Sequence, residues 1–427
     1  MKKRFAIIGF GCAGYHALEA IRQTDPDAQI DIYSDTAMAP YNPMLTTYYV
    51  AGKLPYEGLF PFGSLEEIGA RYQARIFTDT HVDRVDAGNR TLVTRQGESR
   101  PYDRILLATG ARAFVPEAFA GLKGAFCMRT VEDAVKLHDA LAGRRYRSAV
   151  VVGASMVGIK VAELLHKQGI PVTLADMAPH IFALAAYPEV SAMIQKRIGD
   201  MGIRMALGQP ITGGEEIPGP EGAGTCYKVH LGNGETLETD LLVLNIGTRA
   251  STGMVSREEI QVDRGIVVNT SMETSAPGIY GAGDCCQGNN LQSGQTQIIG
   301  LWANAGIQGR VAGQNMAGGS RETEGNILHN ITHFLDMDFI GLGDNRLTGE
   351  TYTYWSRKKD FYLQAVVRDG KPVGFNILDN YGISGILKAH LVRMLKGEPC
   401  RFTPEQRGQL LRFGLEQKFL DYLEAAV

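Results

Sequence analysis

The order of apolar and polar residues in the N-terminal half repeats one arrangement twice. Residues 4–23 open with a short apolar run, pass through three glycines and continue with apolar positions at helical spacing. Residues 148–176 repeat this order with two glycines and a serine in the turn, and each helical stretch is followed by another apolar run. Short apolar runs that alternate with glycine turns and helices are typical of buried parallel strands. The pattern predicts an α/β protein that contains two Rossmann-like units.

The first repeat places Gly9, Gly11 and Gly14 between the strand and the helix, and Asp35 follows the next strand. Glycines at this spacing allow a tight turn and let a pyrophosphate approach the helix N-terminus, while the acid can accept a hydrogen bond from a ribose hydroxyl. This context predicts a bound dinucleotide. The alternative is a tight turn with no ligand.

The second repeat carries Gly153, Ser155 and Gly158 in the turn and Asp176 at the end of the next strand. Asp176 would repel a 2′-phosphate, and no arginine stands beside it. We therefore expect NAD rather than NADP, with a purely structural second unit as the alternative. Two dinucleotide sites in one chain indicate electron transfer between a flavin and a nicotinamide.

The C-terminal region, from about residue 325 to 427, has a different pattern. Residues 332–378 alternate like antiparallel strands, and Asp369-Gly370 is a hairpin signal. Residues 384–397 predict one helix. Residues 403–427 predict a single further helix that begins with Thr403 at the N-cap.

Composition narrows the class of protein. The chain has 427 residues and a net charge of −3, so no basic field favours nucleic acid, and no apolar run is long enough to span a membrane. Six scattered cysteines, including the adjacent Cys285 and Cys286, predict free thiols and a reducing, cytoplasmic setting. His329 and His333 lack a third ligand, so no metal site is predicted.

Besides the two glycine-rich repeats, four motifs occur along the chain, and each contributes candidate site residues. They are residues 102–110, 240–247, 274–284 and 301–310, with Thr109, Gly110, Gly247, Gly283, Asp284 and Trp302 as the candidates. Together with the glycine-rich repeats they resemble the pyridine nucleotide–disulfide oxidoreductases over roughly residues 4–318. The resemblance is to the branch of NADH oxidases, rubredoxin and ferredoxin reductases, and the flavin portion of nitrite reductases.

The resemblance implies FAD and NAD as cofactors and an FAD-binding domain interrupted by an NAD-binding domain. The implied segments are 1–120 and 248–324 for FAD, 121–247 for NAD, and 325–427 for a C-terminal α+β interface domain. In relatives the last domain commonly forms the dimer interface, so a homodimer is expected. The resemblance also implies that Asp284 binds the FAD ribitol, and we expect Asp284 to begin a helix.

Two features depart from the family pattern. In members of the family that reduce disulfides, the segment equivalent to residues 37–52 carries a redox cysteine. Here the segment contains no cysteine, and its Asn42 is a candidate for hydrogen bonding instead. By position, Tyr48 replaces a lysine near the flavin, and Lys160 replaces its glutamate partner. One hypothesis is that Tyr48 and Lys160 approach the flavin edge together. The alternative is that Tyr48 packs and Lys160 is a solvated helix residue.

These observations predict an FAD-dependent oxidoreductase that takes a hydride from NADH, with Tyr48, Lys160 and Trp302 as candidate catalytic residues. The missing cysteine favours an acceptor that is not a disulfide, such as a ferredoxin- or rubredoxin-like carrier. An NADH oxidase or a reductase of a small organic substrate is the first alternative. A redox sensor that binds nucleotides without turnover is the second.

Overall fold

The computed structural model describes residues 2–219, 224–356 and 359–425. The α-helices are α1 (Cys12–Thr24), α2 (Thr46–Val50), α3 (Leu65–Tyr72), α4 (Val131–Gly143), α5 (Met156–Lys167), α6 (Pro188–Asp200), α7 (Trp302–Met316), α8 (Ser384–Leu395), α9 (Pro404–Arg412) and α10 (Gln417–Ala425). Short 3-10 helices span Pro43–Leu45, Tyr56–Leu59, Glu117–Phe119 and Tyr381–Ile383. Within the described ranges, no helix has both the length and the apolar character needed to cross a membrane.

The strands of the N-terminal part are β1 (Arg4–Ile8), β2 (Gln29–Tyr33), β3 (Arg75–Phe77), β4 (Val82–Asp86), β5 (Thr91–Thr94), β6 (Ser99–Pro101), β7 (Arg104–Leu107), β8 (Ala111–Ala113) and β9 (Phe126–Cys127). The central strands are β10 (Ala149–Val152), β11 (Val172–Asp176), β12 (Arg204–Leu207), β13 (Ile211–Pro218), β14 (Thr225–Leu231), β15 (Thr236–Thr239), β16 (Leu241–Leu244), β17 (Thr248–Ala250), β18 (Ile266–Val267), β19 (Ile279–Gly281), β20 (Cys286–Asn289) and β21 (Thr296–Gln297). The C-terminal strands are β22 (His329–Phe334), β23 (Met337–Gly343), β24 (Glu350–Ser356), β25 (Phe361–Arg368) and β26 (Lys371–Leu378).

The chain divides into two compact units, and each is built from separate stretches of sequence. The first unit comprises Met1–Arg112, Arg129–Val131 and Thr248–Asn326. The second comprises Ala113–Met128, Glu132–Gly247 and Ile327–Val427. The segments predicted as the NAD-binding and C-terminal domains thus share one compact unit, and the division into four segments stays a prediction.

The first unit is organised around a parallel sheet of order β19-β7-β1-β2-β3. Its first strand is almost entirely buried, as the apolar run predicts. Helices α1 and α7 approach closely because glycine faces the contact. A Cβ added to Gly309 would stand 2.2 Å from the carbonyl oxygen of Ala13, and one added to Gly313 would stand 2.4 Å from that of Ala17. Larger residues at these two positions would force the helices apart.

The second unit contains a parallel sheet of order β12-β11-β10-β16-β9 and an antiparallel sheet of order β22-β23-β26-β25-β24. Helix α6 lies against the antiparallel sheet. The Tyr187 amide before this helix donates to Asn376 Oδ1 at 2.7 Å, and Arg197 Nη1 lies 2.6 Å from Asp379 Oδ2. The predicted α/β class with parallel Rossmann-like sheets is confirmed.

Most of the predicted C-terminal elements are present, and one is wrong. The antiparallel strands form as expected, with Asp369 at φ 52° and Gly370 at φ 76° in the hairpin turn. The single terminal helix predicted over 403–427 is instead two helices, α9 and α10, within the described residues. Gly414 has φ 103° between them, a left-handed conformation that ends a helix and that glycine adopts readily.

Candidate functional site

The first glycine turn has the shape that a phosphate site requires. Gly9 has φ 95°, and a Cβ there would stand 2.3 Å from the carbonyl oxygen of Ala108. A Cβ on Gly14 would stand 2.3 Å from the carbonyl oxygen of Gly9. At Gly11, by contrast, the described chain has no atom within 4 Å of a Cβ position, and no described side chain caps α1. Gly9 and Gly14 close the turn, and Gly11 leaves open space at the helix N-terminus, where anions bind.

The GAGD motif lies beside this turn, although it is far away in the sequence. The Cβ position of Gly283, whose φ is 83°, is 3.2 Å from Ala13 Cβ in the first turn of α1. Asp284 follows, and Arg129 Nη2 lies 2.7 Å from its Oδ2. Arg129 Nε also donates to the carbonyl oxygen of Ala111 at 3.1 Å. The expectation that Asp284 begins a helix is wrong, because the chain turns there and continues into β20.

The other candidates of the first unit lie in three different surroundings. Thr109 and Gly110 adjoin Gly9, and the Thr109 hydroxyl donates to the carbonyl oxygen of Ser251 at 2.6 Å. The exposed Asp35 has its Oδ1 3.0 Å from His81 Nδ1. Asn42 Oδ1 accepts from the Met44 amide at 3.0 Å and so caps a 3-10 helix.

Two aromatic candidates differ in their polar contacts. Tyr48 lies in α2, and the Lys53 ammonium is 5.7 Å from its ring centroid. Trp302 begins α7 and stacks near Phe62, with ring centroids 5.9 Å apart. Trp302 Nε1 is buried and has no hydrogen-bond partner among the described residues. A buried unpaired donor is costly, so this N–H fits an acceptor on a bound ligand.

The second glycine turn repeats the geometry of the first inside the second unit. Gly153 has φ 109°, and a Cβ there would stand 2.3 Å from the carbonyl oxygen of Asn245. The Cβ position of Gly158 is 1.8 Å from the carbonyl oxygen of Gly153. Ser155 caps α5 by accepting from the Gly158 amide at 3.4 Å. Ser155 therefore supplies a helix cap where the first turn has an open glycine.

The acid after β11 holds the same turn in place. Asp176 Oδ2 accepts from the Ala154 amide at 2.6 Å, and Oδ1 accepts from the Ala178 amide at 2.8 Å. A carboxylate oxygen has further lone pairs, so these bonds leave capacity for a ribose hydroxyl. Gly247, at φ 110°, ends the return segment. Nearby in sequence, Asn245 Nδ2 is buried without a partner in the described part of the chain.

Lys160 lies in an ionic cluster within the second unit. Its Nζ is 2.9 Å from Glu163 Oε2 and 2.7 Å from the carbonyl oxygen of His333. Lys167 Nζ lies 2.7 Å from Glu163 Oε1. Burial of Glu163 by itself would raise its pKa, but the hydrogen bonds from Lys167 and Lys160 outweigh burial and lower the pKa. Lys160 thus links α5 to β22 through the carbonyl oxygen of His333, and Glu163 holds Lys160 in that position.

Five of the six cysteines are buried, and Cys127 is partly buried. Burial raises the pKa of the Cys12 thiol to about 12, and its Sγ donates to the carbonyl oxygen of Trp302 at 3.3 Å. Cys285 and Cys286 are buried and free, as predicted, with their sulfur atoms 3.5 Å apart. Across the described residues, no cluster of three His, Cys, Asp or Glu side chains is placed to hold a metal ion.

Residues 3–309 match the model of the family described as pyridine nucleotide-disulphide oxidoreductase. The chain belongs to this family. It is 30% identical over 410 residues to the NADH-dependent phenylglyoxylate dehydrogenase subunit epsilon of Aromatoleum evansii, with 93% of each chain covered. It is 28% identical over 318 residues to the rubredoxin-NAD(+) reductase of Pseudomonas putida, with coverage of 74% of this chain and 80% of that one.

A solved structure shares the fold. The covalent putidaredoxin reductase–putidaredoxin complex superposes with a TM-score of 0.85 at 22% identity, covering 99% of this chain and 98% of that one. Family membership makes the chain an NAD(P)H oxidoreductase with FAD and NAD as cofactors. The residues present fit these groups. Backbone contacts close both glycine turns, and a side chain in place of the glycine would break those contacts. Trp302 Nε1 and Asn245 Nδ2 are buried N–H donors that have no acceptor among the described residues.

Three residues that contact the candidate sites were not foreseen from the sequence. Arg129 contacts Asp284, Asn245 lies behind Gly153, and Glu163 binds Lys160. Arg129 and Asn245 belong to no periodic pattern, so only the folded chain identifies them. Glu163 stands three residues after Lys160 on α5, and side chains at this spacing are neighbours on a helix. This spacing was the one feature of the sequence that could have predicted the ion pair.

Proposed function

We propose that this chain is an FAD-dependent reductase that passes electrons from NADH to a protein carrier of the ferredoxin or rubredoxin type, and not to a disulfide. The observation that carries the proposal is the lack of a usable thiol. Residues 37–52 contain no cysteine, and Cys12, which begins α1, is buried with a raised pKa. A thiol that stays protonated is a poor nucleophile for disulfide exchange.

The relatives support a carrier as the acceptor. One is named as a subunit of an NADH-dependent dehydrogenase, and its match covers nearly the full length of both chains. Another is named as a rubredoxin reductase. The second name includes a protein carrier, so it favours a protein acceptor over a small substrate.

The proposed roles of the side chains follow from their positions. The open N-terminus of α1 would bind the FAD pyrophosphate, and Asp284, oriented by Arg129, would accept from a ribitol hydroxyl. The α5 turn and Asp176 would bind NADH. Bound FAD would supply the redox chemistry, because a flavin can accept a hydride and release the two electrons one at a time. Tyr48, Lys160 and Trp302 stay the proposed residues near the reacting ring.

Reoxidation kinetics test the choice of acceptor. The FAD-loaded protein is reduced with NADH without oxygen and mixed in a stopped-flow instrument with an oxidised ferredoxin, a rubredoxin, dioxygen or an aromatic disulfide. We expect a carrier to reoxidise the flavin at least about tenfold faster than dioxygen, and the disulfide to be inert. Cys12→Ser, as matched control, should leave all these rates unchanged.

Three outcomes would contradict the proposal. Fastest reoxidation by dioxygen would make the chain an oxidase. Disulfide reduction that is lost in Cys12→Ser would identify Cys12 as a redox thiol. A flavin absorbance that NADH does not bleach would favour a nucleotide-binding sensor without turnover.

A further inference from the structure

Lys388 and His329 form a polar pair in the C-terminal part that neither cofactor site uses. Lys388 lies in α8, His329 begins β22, and Lys388 Nζ is 3.2 Å from His329 Nε2. His329 Nδ1 lies 3.3 Å from the carbonyl oxygen of Ile327, which can only accept. The proton of the neutral ring therefore sits on Nδ1, and Nε2 offers its lone pair to the lysine.

Within the described residues, neither Lys388 nor His329 forms an ion pair with a carboxylate. Three other lysines of the same unit do, because Lys160 and Lys167 bind Glu163 and Lys196 binds Asp200. In the described part of the chain, the half-buried Lys388 has His329 as its polar side-chain partner and forms no ion pair with an acid. Burial lowers the pKa of Lys388 below its usual value of 10.5. Burial, followed by the charge of Lys388, lowers the pKa of His329 to about 4.

This arrangement favours the neutral amine, which is the nucleophilic form of lysine. A neutral imidazole stabilises an ammonium less than a carboxylate does, so the proton of Lys388 is held more weakly than that of a paired lysine. Ile331 points to the same face of β22 as His329, because side chains two residues apart in a strand share a face, and it is 46% exposed.

We propose that Lys388 is a site of covalent N-acylation by activated short-chain carboxylic acids, either acyl phosphates or acyl thioesters. The Nζ lone pair attacks the acyl carbon, and an N–C bond forms. The bond from that carbon to phosphate oxygen or thiolate sulfur breaks, and the leaving group departs with the electron pair. Nζ loses one proton to solvent, and no oxidant or reductant is needed.

The surroundings of Lys388 indicate the length of the acyl chain, and the chemistry of acylation gives the change in charge. Ile331 offers apolar surface to a chain of a few carbons. Acylation turns the ammonium into a neutral amide, which ends the donation of a charged group to His329. The modified form is therefore distinguishable by mass and by the loss of one positive charge.

The test uses the FAD-loaded chain of residues 1–427 and two donors, acetyl phosphate and acetyl-CoA, in separate arms from about pH 6.5 to about pH 9.5. Site-resolved peptide mass spectrometry compares Lys388 with Lys196, an exposed lysine paired with Asp200. We expect Lys388 to be acetylated at least about fivefold faster than Lys196 near pH 7.5, and the rate at Lys388 to level off below the usual lysine pKa of 10.5. The faster arm identifies the donor class.

Two variants separate charge from packing. His329→Glu places a carboxylate beside Lys388 and should suppress its acetylation at least about fivefold, because the ion pair retains the proton. His329→Gln, of similar shape but uncharged, should retain the reactivity of the wild type within about twofold. Flavin content and melting temperature check that both variants are folded. Equal labelling of Lys388 and Lys196, no labelling by either donor, or equal reactivity of the Glu and Gln variants would each overturn the proposal.

Discussion

Arg129 Nη2 lies 2.7 Å from Asp284 Oδ2, although 155 residues separate the two in the chain. Both side chains are partly exposed, and the guanidinium is also held by the carbonyl oxygen of Ala111. The pair joins the GAGD motif to the short segment 129–131, which belongs to the first unit while its sequence neighbours belong to the second. Arg129 is thereby a positioning residue for the acid that we assign to the ribitol.

The first prediction concerns this pair. Arg129→Met keeps the length of the side chain but removes its charge and donors, so Asp284 loses its fixed orientation. We expect the Kd for FAD to rise about tenfold, which corresponds to about 1.4 kcal/mol. Flavin release followed by fluorescence measures it. Arg95→Met, which breaks an exposed pair with Asp83 in the same unit, should leave FAD binding unchanged, and equal effects of the two variants would refute the assigned role.

A second prediction compares two glycines of one turn. Gly14→Ala places a Cβ 2.3 Å from the carbonyl oxygen of Gly9, so the apoprotein should lose about 2–3 kcal/mol of stability. Gly11→Ala meets open space, so the stability of the apoprotein should change by less than about 1 kcal/mol. The same variant should lose most of its FAD, because its methyl group stands where the pyrophosphate approaches. Urea denaturation and flavin content separate these effects, and a Gly11→Ala protein with full FAD would exclude this turn as the phosphate site.

Asp176 carries the third prediction, which concerns nucleotide choice. Asp176→Ala removes the acceptor for two backbone amides and the charge that repels a 2′-phosphate. The KM for NADH should rise about tenfold, and the preference for NADH over NADPH should fall by a similar factor. Initial rates with both nucleotides give the ratio. Asp200→Ala at the end of α6 is the control, and an unaltered NADH/NADPH ratio in Asp176→Ala would count against the ribose assignment.

The fourth prediction links Glu163 to the pH dependence of stability. Its pKa in the folded protein lies below the ordinary value of 4.5, so its contribution is fully present above pH 4.5 and is lost as the pH falls through the folded pKa. Glu163→Gln removes the buried carboxylate that Lys160 and Lys167 share, and should cost about 3 kcal/mol near pH 7. The difference between wild type and variant should shrink below pH 4.5, as measured by urea denaturation.

A matched surface pair provides the control for Glu163. Lys196 and Asp200 form an exposed i,i+4 pair on α6. Because solvent screens such pairs, Asp200→Asn should change the free energy of unfolding by less than about 0.5 kcal/mol at any of these pH values. A Glu163→Gln variant that behaved like Asp200→Asn would show that the buried cluster contributes little.

The sequence by itself determined both Rossmann-like units, because their signals are local. Strand, glycine turn, helix and terminal acid follow one another within about 30 residues, and backbone sterics at Gly9 and Gly153 leave few other conformations. The hairpin at Asp369-Gly370 was predictable for the same reason. The terminal helix was predicted as one because its apolar spacing continues across Gly414, and only the left-handed backbone at that residue separates α9 from α10.

The tertiary structure alone decided which distant side chains meet. Arg129 with Asp284, Lys160 with the His333 carbonyl, and Lys388 with His329 are each separated by 59 residues or more. Periodicity reports which face of an element is buried, but it does not report which element covers that face. The partners of a charged group depend on packing between elements, and packing is also what sets the proton affinities of Glu163, His329 and Lys388.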